Sequence, residues 1–204
     1  MSKVVVFTHL TLDGVMQAPG RADEDLRGGF KHGGWEPSYA DPVMNSVAAE
    51  GIAKGAALLL GRRTYEDFAS FWPNQPEPNP FTAVLNNTQK YVASTTLEEP
   101  LSWSNSTLLK GDAAEAVARL KERPGIEKDL VVLGSGELVQ SLMRHNLVDE
   151  YVLLIHPLVL GSGGRLFTDG GASAALRLVD TKTTTTGVVI VTYRPAEPTT
   201  GKTT

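Results

Sequence analysis

Short apolar runs recur along this chain and alternate with stretches whose apolar residues return at helical spacing. Val4–His9 reads as a buried first strand. Residues 17–40 are rich in glycine, proline and acidic residues and read as a long loop, a length usually associated with function or disorder. Asp41-Pro42 then forms a helix start, with Asp as N-cap and Pro in the first turn, and Val43, Val47 and Ile52 extend a helix over about 42–53. Ala57–Leu60 is a strand and Thr64–Phe71 a short helix. Pro73 to Pro80 holds four prolines and reads as loop. Lys90–Ser94 is a strand, Asp112–Arg123 a helix ended by Pro124-Gly125, Leu130–Leu133 a strand, and Glu137–His145 a helix. Glu150–Val159 is a long apolar strand, with Pro157 near its end. Leu176–Thr183 and Val188–Arg194 flank a Thr-Thr-Gly turn and form a C-terminal hairpin. From Pro195 the chain is polar and reads as a mobile tail after one domain, 1–194.

This alternation predicts an α/β fold: a mostly parallel central sheet flanked by helices, with an antiparallel C-terminal hairpin. Ligands of such sheets bind beyond the carboxyl ends of the strands. At that edge two strands run through glycine into a helix, at Leu60-Gly61-Arg62-Arg63-Thr64 and at Leu133-Gly134-Ser135-Gly136-Glu137-Leu138. Such junctions turn free backbone N–H groups outward. Glycine admits a phosphate close to the backbone, and the helix dipole favours negative charge there. Two junctions, one bearing arginines, point to a ligand with two phosphate-bearing parts, such as a dinucleotide. Val139 stands where the G-x-G-x-x-G fingerprint needs its third glycine, which disfavours an ordinary Rossmann site, and no P-loop motif occurs.

Composition narrows the classes. The chain has 204 residues, 41% hydrophobic and 21% charged, as expected of one globular domain. A net charge of −4 argues against general attraction to nucleic acid or anionic membrane. The absence of cysteine excludes disulfides, thiolate metal sites and cysteine nucleophiles. Four histidines without ligand spacing give no reason to expect a metal. No apolar run approaches the ~20 residues of a membrane helix, and no secretory signal is visible, so the expected location is cytoplasmic. His9 and His156 lie on strands, where structural hydrogen bonding is the commoner role.

The motifs taken in order resemble a known family. Leu12-Asp13-Gly14, Gly61-Arg62-Arg63-Thr64-Tyr65-Glu66, Trp72-Pro73, Val92-Ala93-Ser94-Thr95, Gly134-Ser135-Gly136-Glu137-Leu138, Asp149-Glu150, His156-Pro157 and Gly161 follow one another as in the dihydrofolate reductase fold. The match is to the branch related to the reductase domain of the bifunctional riboflavin-biosynthesis deaminase–reductase. The resemblance implies NADPH as cofactor. Backbone from Leu12 through Met16 to Gln17 would face the nicotinamide, and Gly61 to Thr64 would hold phosphates. Ser94 and Thr95 would join Arg62 or Arg63 around the adenosine 2′-phosphate. Gly134, Ser135, Gly136, Glu137 and Leu138 would cradle the pyrophosphate.

The same resemblance implies a reductase acting on a small heterocyclic or sugar-linked acceptor, such as 5-amino-6-(5-phosphoribosylamino)uracil. Dihydrofolate reductases carry a carboxylate sixteen residues before the Gly-Arg glycine; here that position is Asn45, which has no acidic proton. Asp13 and Asp41 are therefore the candidate catalytic carboxylates. Trp35, Tyr39, Asn45, Phe68 and Trp72 are candidates for the acceptor site. A dihydrofolate or pterin reductase using Asp41 as its acid, and a cofactor-binding sensor without turnover, are the alternatives. The apolar strand Tyr151–Leu160 and the C-terminal hairpin are the candidate surfaces for a homodimer.

Overall fold

A computed structural model of the chain describes residues 2–53, 56–76, 80–123 and 128–197. Eight strands form one sheet in the order β4-β3-β2-β5-β1-β6-β8-β7. They are β1 (Val4–Thr11), β2 (Ala57–Gly61), β3 (Lys90–Ala93), β4 (Ser106–Leu109), β5 (Leu130–Leu133), β6 (Glu150–His156), β7 (Leu176–Thr183) and β8 (Val189–Pro195). The first six strands in that order run parallel, and β8 pairs antiparallel with both β6 and β7. β2 and β5, and β1 as far as Phe7, are continuous apolar runs; β2 is buried on both faces, while one face of β5 and of β1 is only half-buried.

The α-helices among the described residues are α1 (Pro42–Ala53), α2 (Arg62–Phe71), α3 (Pro80–Asn87), α4 (Ala113–Glu122) and α5 (Gly136–Arg144). On one face, Val117 and Leu120 of α4 and Leu138, Val139 and Leu142 of α5 pack on Val4, Val6, Leu59, Leu130 and Val132. On the other, Met44 of α1 packs on Leu154 and Ile190, while Tyr65 of α2 and Leu85 of α3 pack on Leu58, Leu60 and Val92. The sheet between these two groups carries the side chains of Val5, Phe7, Val131 and Leu133, which line an open groove.

The alternation read from the sequence is the one observed, with differences at its weak points. α2 begins at Arg62, directly after the glycine. The proline-rich stretch contains a 3₁₀ turn at Trp72–Asn74, and Pro80 opens α3, since the first turn of a helix tolerates proline; residues 77–79 between them lie outside the described residues. β4 is short, half polar and at the sheet edge, so no apolar run announced it. β6 stops at His156 because Pro157 has no N–H to continue the ladder. Pro195 closes β8 and the Ala196 N–H donates to Ala175 O, so these two residues belong to the sheet edge and not to the expected tail; residues 198–204 lie outside the described residues, as do Pro124 and Gly125.

Lys90 is fully buried at the start of β3. Its Nζ donates to Thr88 O (2.7 Å), Ser104 O (3.0 Å) and Asn86 O (3.2 Å), and sits 4.2 Å from the Trp103 ring centroid. Burial pulls its pKa down to about 8. Three carbonyls and a ring face stand in for water around this ammonium, tying β3 to the segments that flank it.

Candidate functional site

The two glycine junctions meet. Strand order places β2 beside β5, so the turns after them are neighbours. The Gly61 N–H donates to Ser135 Oγ (3.0 Å), and the Ser135 hydroxyl donates to Thr64 Oγ1 (2.9 Å). Gly134 and Ser135 both adopt left-handed backbone, with φ of 58° and 55°. A Cβ at Gly136 would come within 2.8 Å of Met16 Sδ, so the Met16 side chain from the β1 turn lies directly against the start of α5. Ser135 spends its hydroxyl on this brace and does not cap α5; Gly61 cannot cap α2. Two helix N-termini therefore open without side-chain caps onto one cleft, the arrangement that receives anionic oxygen.

The cleft has a volume of about 1670 Å³ and continues into the groove between α1 and α2–α3. Met16, Gln17, Gly61, Arg62, Arg63, Thr64, Ser94, Thr95, Gly134, Ser135, Gly136, Glu137 and Leu138 all line it. Ser94 Oγ accepts from the Thr96 and Leu97 N–H groups at the end of β3, leaving Thr95 exposed. Arg62 pairs with Glu66 on its own helix, and Arg63 pairs with Glu137 at 2.8 Å. Leu12 is the exception among the expected cofactor residues. Its side chain is exposed and its N–H is taken by Leu158 O, so it does not line the cleft.

The long loop covers the cleft. Gln17 Nε2 donates to Asp25 O and Arg27 O, and Gln17 Oε1 accepts from the Gly164 N–H. Arg27 reaches to 3.7 Å from Glu137, while Arg21 binds Asp67 of α2 and lies over the Phe71 ring. Glu24 and Asp67 both line the cleft. Burial, with a smaller contribution from the Asp67 charge, raises the Glu24 carboxyl above its ordinary range.

Neither carboxylate expected to be catalytic lines the cleft. Asp13 accepts from Thr11 Oγ1, from the Gly161 and Leu160 N–H groups and from Arg165. The Thr11 hydroxyl first, then the two amides, hold its carboxyl down at about 2, so it is an anion that fastens the β1 turn to residues 160–165. Asp41 caps α1 through the Val43 N–H and accepts from both the N–H and the hydroxyl of Thr185. The Thr185 hydroxyl leads in lowering its pKa. It ties α1 to the β7–β8 turn.

Of the residues expected at the acceptor, Phe68 and Trp72 line the cleft. Asn45 does not: Met44 is buried, so Val47 and Ala48, three and four positions on, turn to the groove and Asn45 turns to solvent. Trp35 and Tyr39 pack edge-on against the buried His156 ring, at 5.0 and 5.3 Å between centroids. His9, which does line the cleft, is joined to that ring, with Nδ1 3.0 Å from His156 Nε2. Burial, reinforced by the neighbouring His156, drives the His9 pKa down to about 3; burial drives His156 to about 4. Both are neutral imidazoles. Residues 147 apart in sequence gave no spacing signal; the parallel pairing of β1 with β6 brings them together. Among the described residues no cluster of His, Asp or Glu is suited to a metal ion, and no helix is long and apolar enough to cross a membrane.

Fold and cleft together define an α/β protein whose site lies beyond the carboxyl ends of its parallel strands. The sequence profile of the RibD C-terminal domain matches residues 2–191, and the chain belongs to that family. It is 32% identical over 194 residues to the uncharacterized protein YyaP of Bacillus subtilis (strain 168), covering 94% of each chain. Over 127 residues it is 30% identical to YwjB of the same organism, covering 61% of this chain and 66% of YwjB. Among solved structures it is similar to a proposed riboflavin biosynthesis protein from Shewanella sp. PV-4, with TM-score 0.72 and 22% identity over 96% of this chain and 99% of the other. It is also similar to a pyrimidine reductase-like protein from Corynebacterium diphtheriae, with TM-score 0.59 and 11% identity over 97% and 93%. These two likenesses show the shared fold.

Proposed function

We propose that the protein is an NADPH-dependent reductase of a small heterocyclic or sugar-linked acceptor. One observation carries this reading: the cross-braced N-termini of α2 and α5 open uncapped onto a single cleft flanked by arginines. These residues fit a dinucleotide. The α5 end, where a Cβ at Gly136 would meet Met16, suits a pyrophosphate; the α2 end with Arg62, Arg63, Ser94 and Thr95 suits a 2′-phosphate, which needs cationic partners. Met16 and Gln17 line the same cleft, and in this reading their backbone would face the nicotinamide. When bound, the dihydronicotinamide supplies a hydride to an acceptor carbon, and the acceptor's heteroatom takes up one proton.

The chain's own part is to position the acceptor, exclude water and supply that proton. The α2 wall and the loop latched to it by Arg21–Asp67 enclose the cleft. Glu24 lines the cleft with a carboxyl that burial raises, against the Gly20 and Arg21 amides that donate to it, and is our candidate for the proton donor in place of Asp13 and Asp41. We also propose a cytoplasmic homodimer joined through the outer edge of β7, where Leu178 and Val179 are exposed; sedimentation would find twice the 21.9 kDa chain mass. The functional test is NADPH oxidation followed at 340 nm with 5-amino-6-(5-phosphoribosylamino)uracil, with dihydrofolate and with neutral heterocyclic carbonyl compounds. Turnover of one of these supports the reading. Tight NADPH binding without oxidation of any would favour a sensor.

A further inference from the structure

The groove beyond the cleft is walled by Val5, Phe7, Leu58, Phe68, Val131 and Leu133. The cations at its far rim are already paired, Arg194 with Glu150 at 2.7 Å and Lys182 with Glu50 at 3.8 Å. His9 is the polar ring on this β1 face, which Val5 and Phe7 share. Its neutral partner His156 is fully buried, and the Nδ1 of His156 meets no hydrogen-bonding group among the described residues.

Two neutral imidazoles share one proton between the facing nitrogens, in one of two arrangements. A proton on His9 Nδ1 puts His156's own N–H on its Nδ1. That arrangement buries a donor without a partner and gives both rings their less stable tautomer. A proton on His156 Nε2 leaves only a bare lone pair on His156 Nδ1. Both rings then hold the tautomer preferred by free imidazole, and His9 carries N–H on Nε2. That nitrogen has no protein partner among the described residues, and its ring lines the groove.

We infer that His9 Nε2–H, with its tautomer set by His156, is the hydrogen-bond donor that selects and orients the acceptor, and that the acceptor is an uncharged, flat, largely apolar ring bearing a carbonyl oxygen. The inference rests on the reductase reading for the word acceptor, but not for the site. His9 contacts the bound ring; His156 is a positioning residue acting through it. A pair that stays neutral does not exchange its donor for an acceptor between pH 5 and 8. The donor at Nε2 therefore stays a neutral N–H, and no net charge enters the apolar groove. Among the described residues, the rings packed against the pair are those of Phe7, Trp35 and Tyr39, none of them charged.

The test uses the full chain without cofactor. ¹⁵N-detected NMR of the histidine rings should show His9 and His156 as Nε2–H tautomers unchanged from pH 8 to 5; a titrating ring or an Nδ1–H tautomer at His9 overturns the inference. Coumarin should bind roughly fivefold tighter than its carbonyl-free counterpart 2H-chromene, the worth of one neutral hydrogen bond. His9→Phe should abolish that preference, and His156→Phe should weaken it by releasing the tautomer. Equal binding of the two probes, or no binding of coumarin, overturns the inference. NADPH affinity measured alongside should be unchanged in both variants. If the wild type fails to bind NADPH while the coumarin preference holds, the reductase reading falls and the donor assignment stands.

Discussion

Lowering the pH from 7.5 to 5.0 is expected to cost this fold about 4 kcal/mol through His9 and His156. Their folded pKa values are depressed to about 3 and about 4, against ~6.5 in the unfolded chain. Between those values the unfolded chain binds protons that the folded chain refuses. Stability is therefore full above pH 6.5 and falls as the pH drops toward the folded values. For one group that stays neutral, the loss at pH 5 is RT ln(1 + 10^1.5), about 2 kcal/mol, and the two groups together give about 4. The amount depends only on both folded values lying well below 5. It is large against the 5–15 kcal/mol typical of domain stability. Glu24 and Glu36, raised by burial, push the other way, so the comparison must be with a variant rather than with a flat line. Urea unfolding at both pH values would measure the difference in the wild type and in the double variant His9→Phe/His156→Leu. The variant should lose most of the pH dependence even if it is less stable throughout. An equal loss in both proteins would show that the histidines are not buried as neutral groups.

The other predictions bear on the cleft and its frame. Ser135→Ala leaves the Gly61 N–H and Thr64 hydroxyl without their shared partner and should destabilise the fold by about 1–3 kcal/mol, with weaker NADPH binding by calorimetry. Glu137→Gln removes the carboxylate facing Arg63 and Arg27 and should tighten NADPH severalfold, most at low salt; weaker binding would show that Glu137 positions the arginines instead. Lys90→Met strips three carbonyls of their donor and should cost roughly 3 kcal/mol in denaturant titration, with cofactor affinity unaffected in the folded fraction.

The alternation of strand and helix was legible because the inner strands are continuous apolar runs, such as Leu58-Leu59-Leu60 and Leu130-Val131-Val132-Leu133. The two glycine junctions were legible as parts of one cleft because each stands where a parallel strand runs into a helix, at the same edge of the sheet. What failed was non-local. Asp13 looked like a free carboxylate in a turn until residues 160–165 folded back over it. Asp41 looked like a candidate acid until Thr185 closed on it from the hairpin. Asn45 matched a family position by counting, but one residue of helix is 100° of rotation, and Met44 holds the buried face. The absence of an acid at Asn45 therefore says nothing about the cleft. His9 and His156 meet only through strand register, which spacing along the chain does not encode.

In the proposed reductase, the arginine-bearing junction after β2 and the glycine-serine junction after β5 hold one molecule of NADPH. Isothermal titration of the wild type and of Arg62→Ala and Arg63→Ala with NADPH and NADH tests this directly. The wild type should bind NADPH with micromolar affinity. At least one arginine variant should lose NADPH affinity tenfold or more while its NADH affinity changes little, since a lone phosphate contact by arginine is worth about 1.5–3 kcal/mol. No binding of either dinucleotide by the wild type, or equal losses for both in the variants, would contradict it.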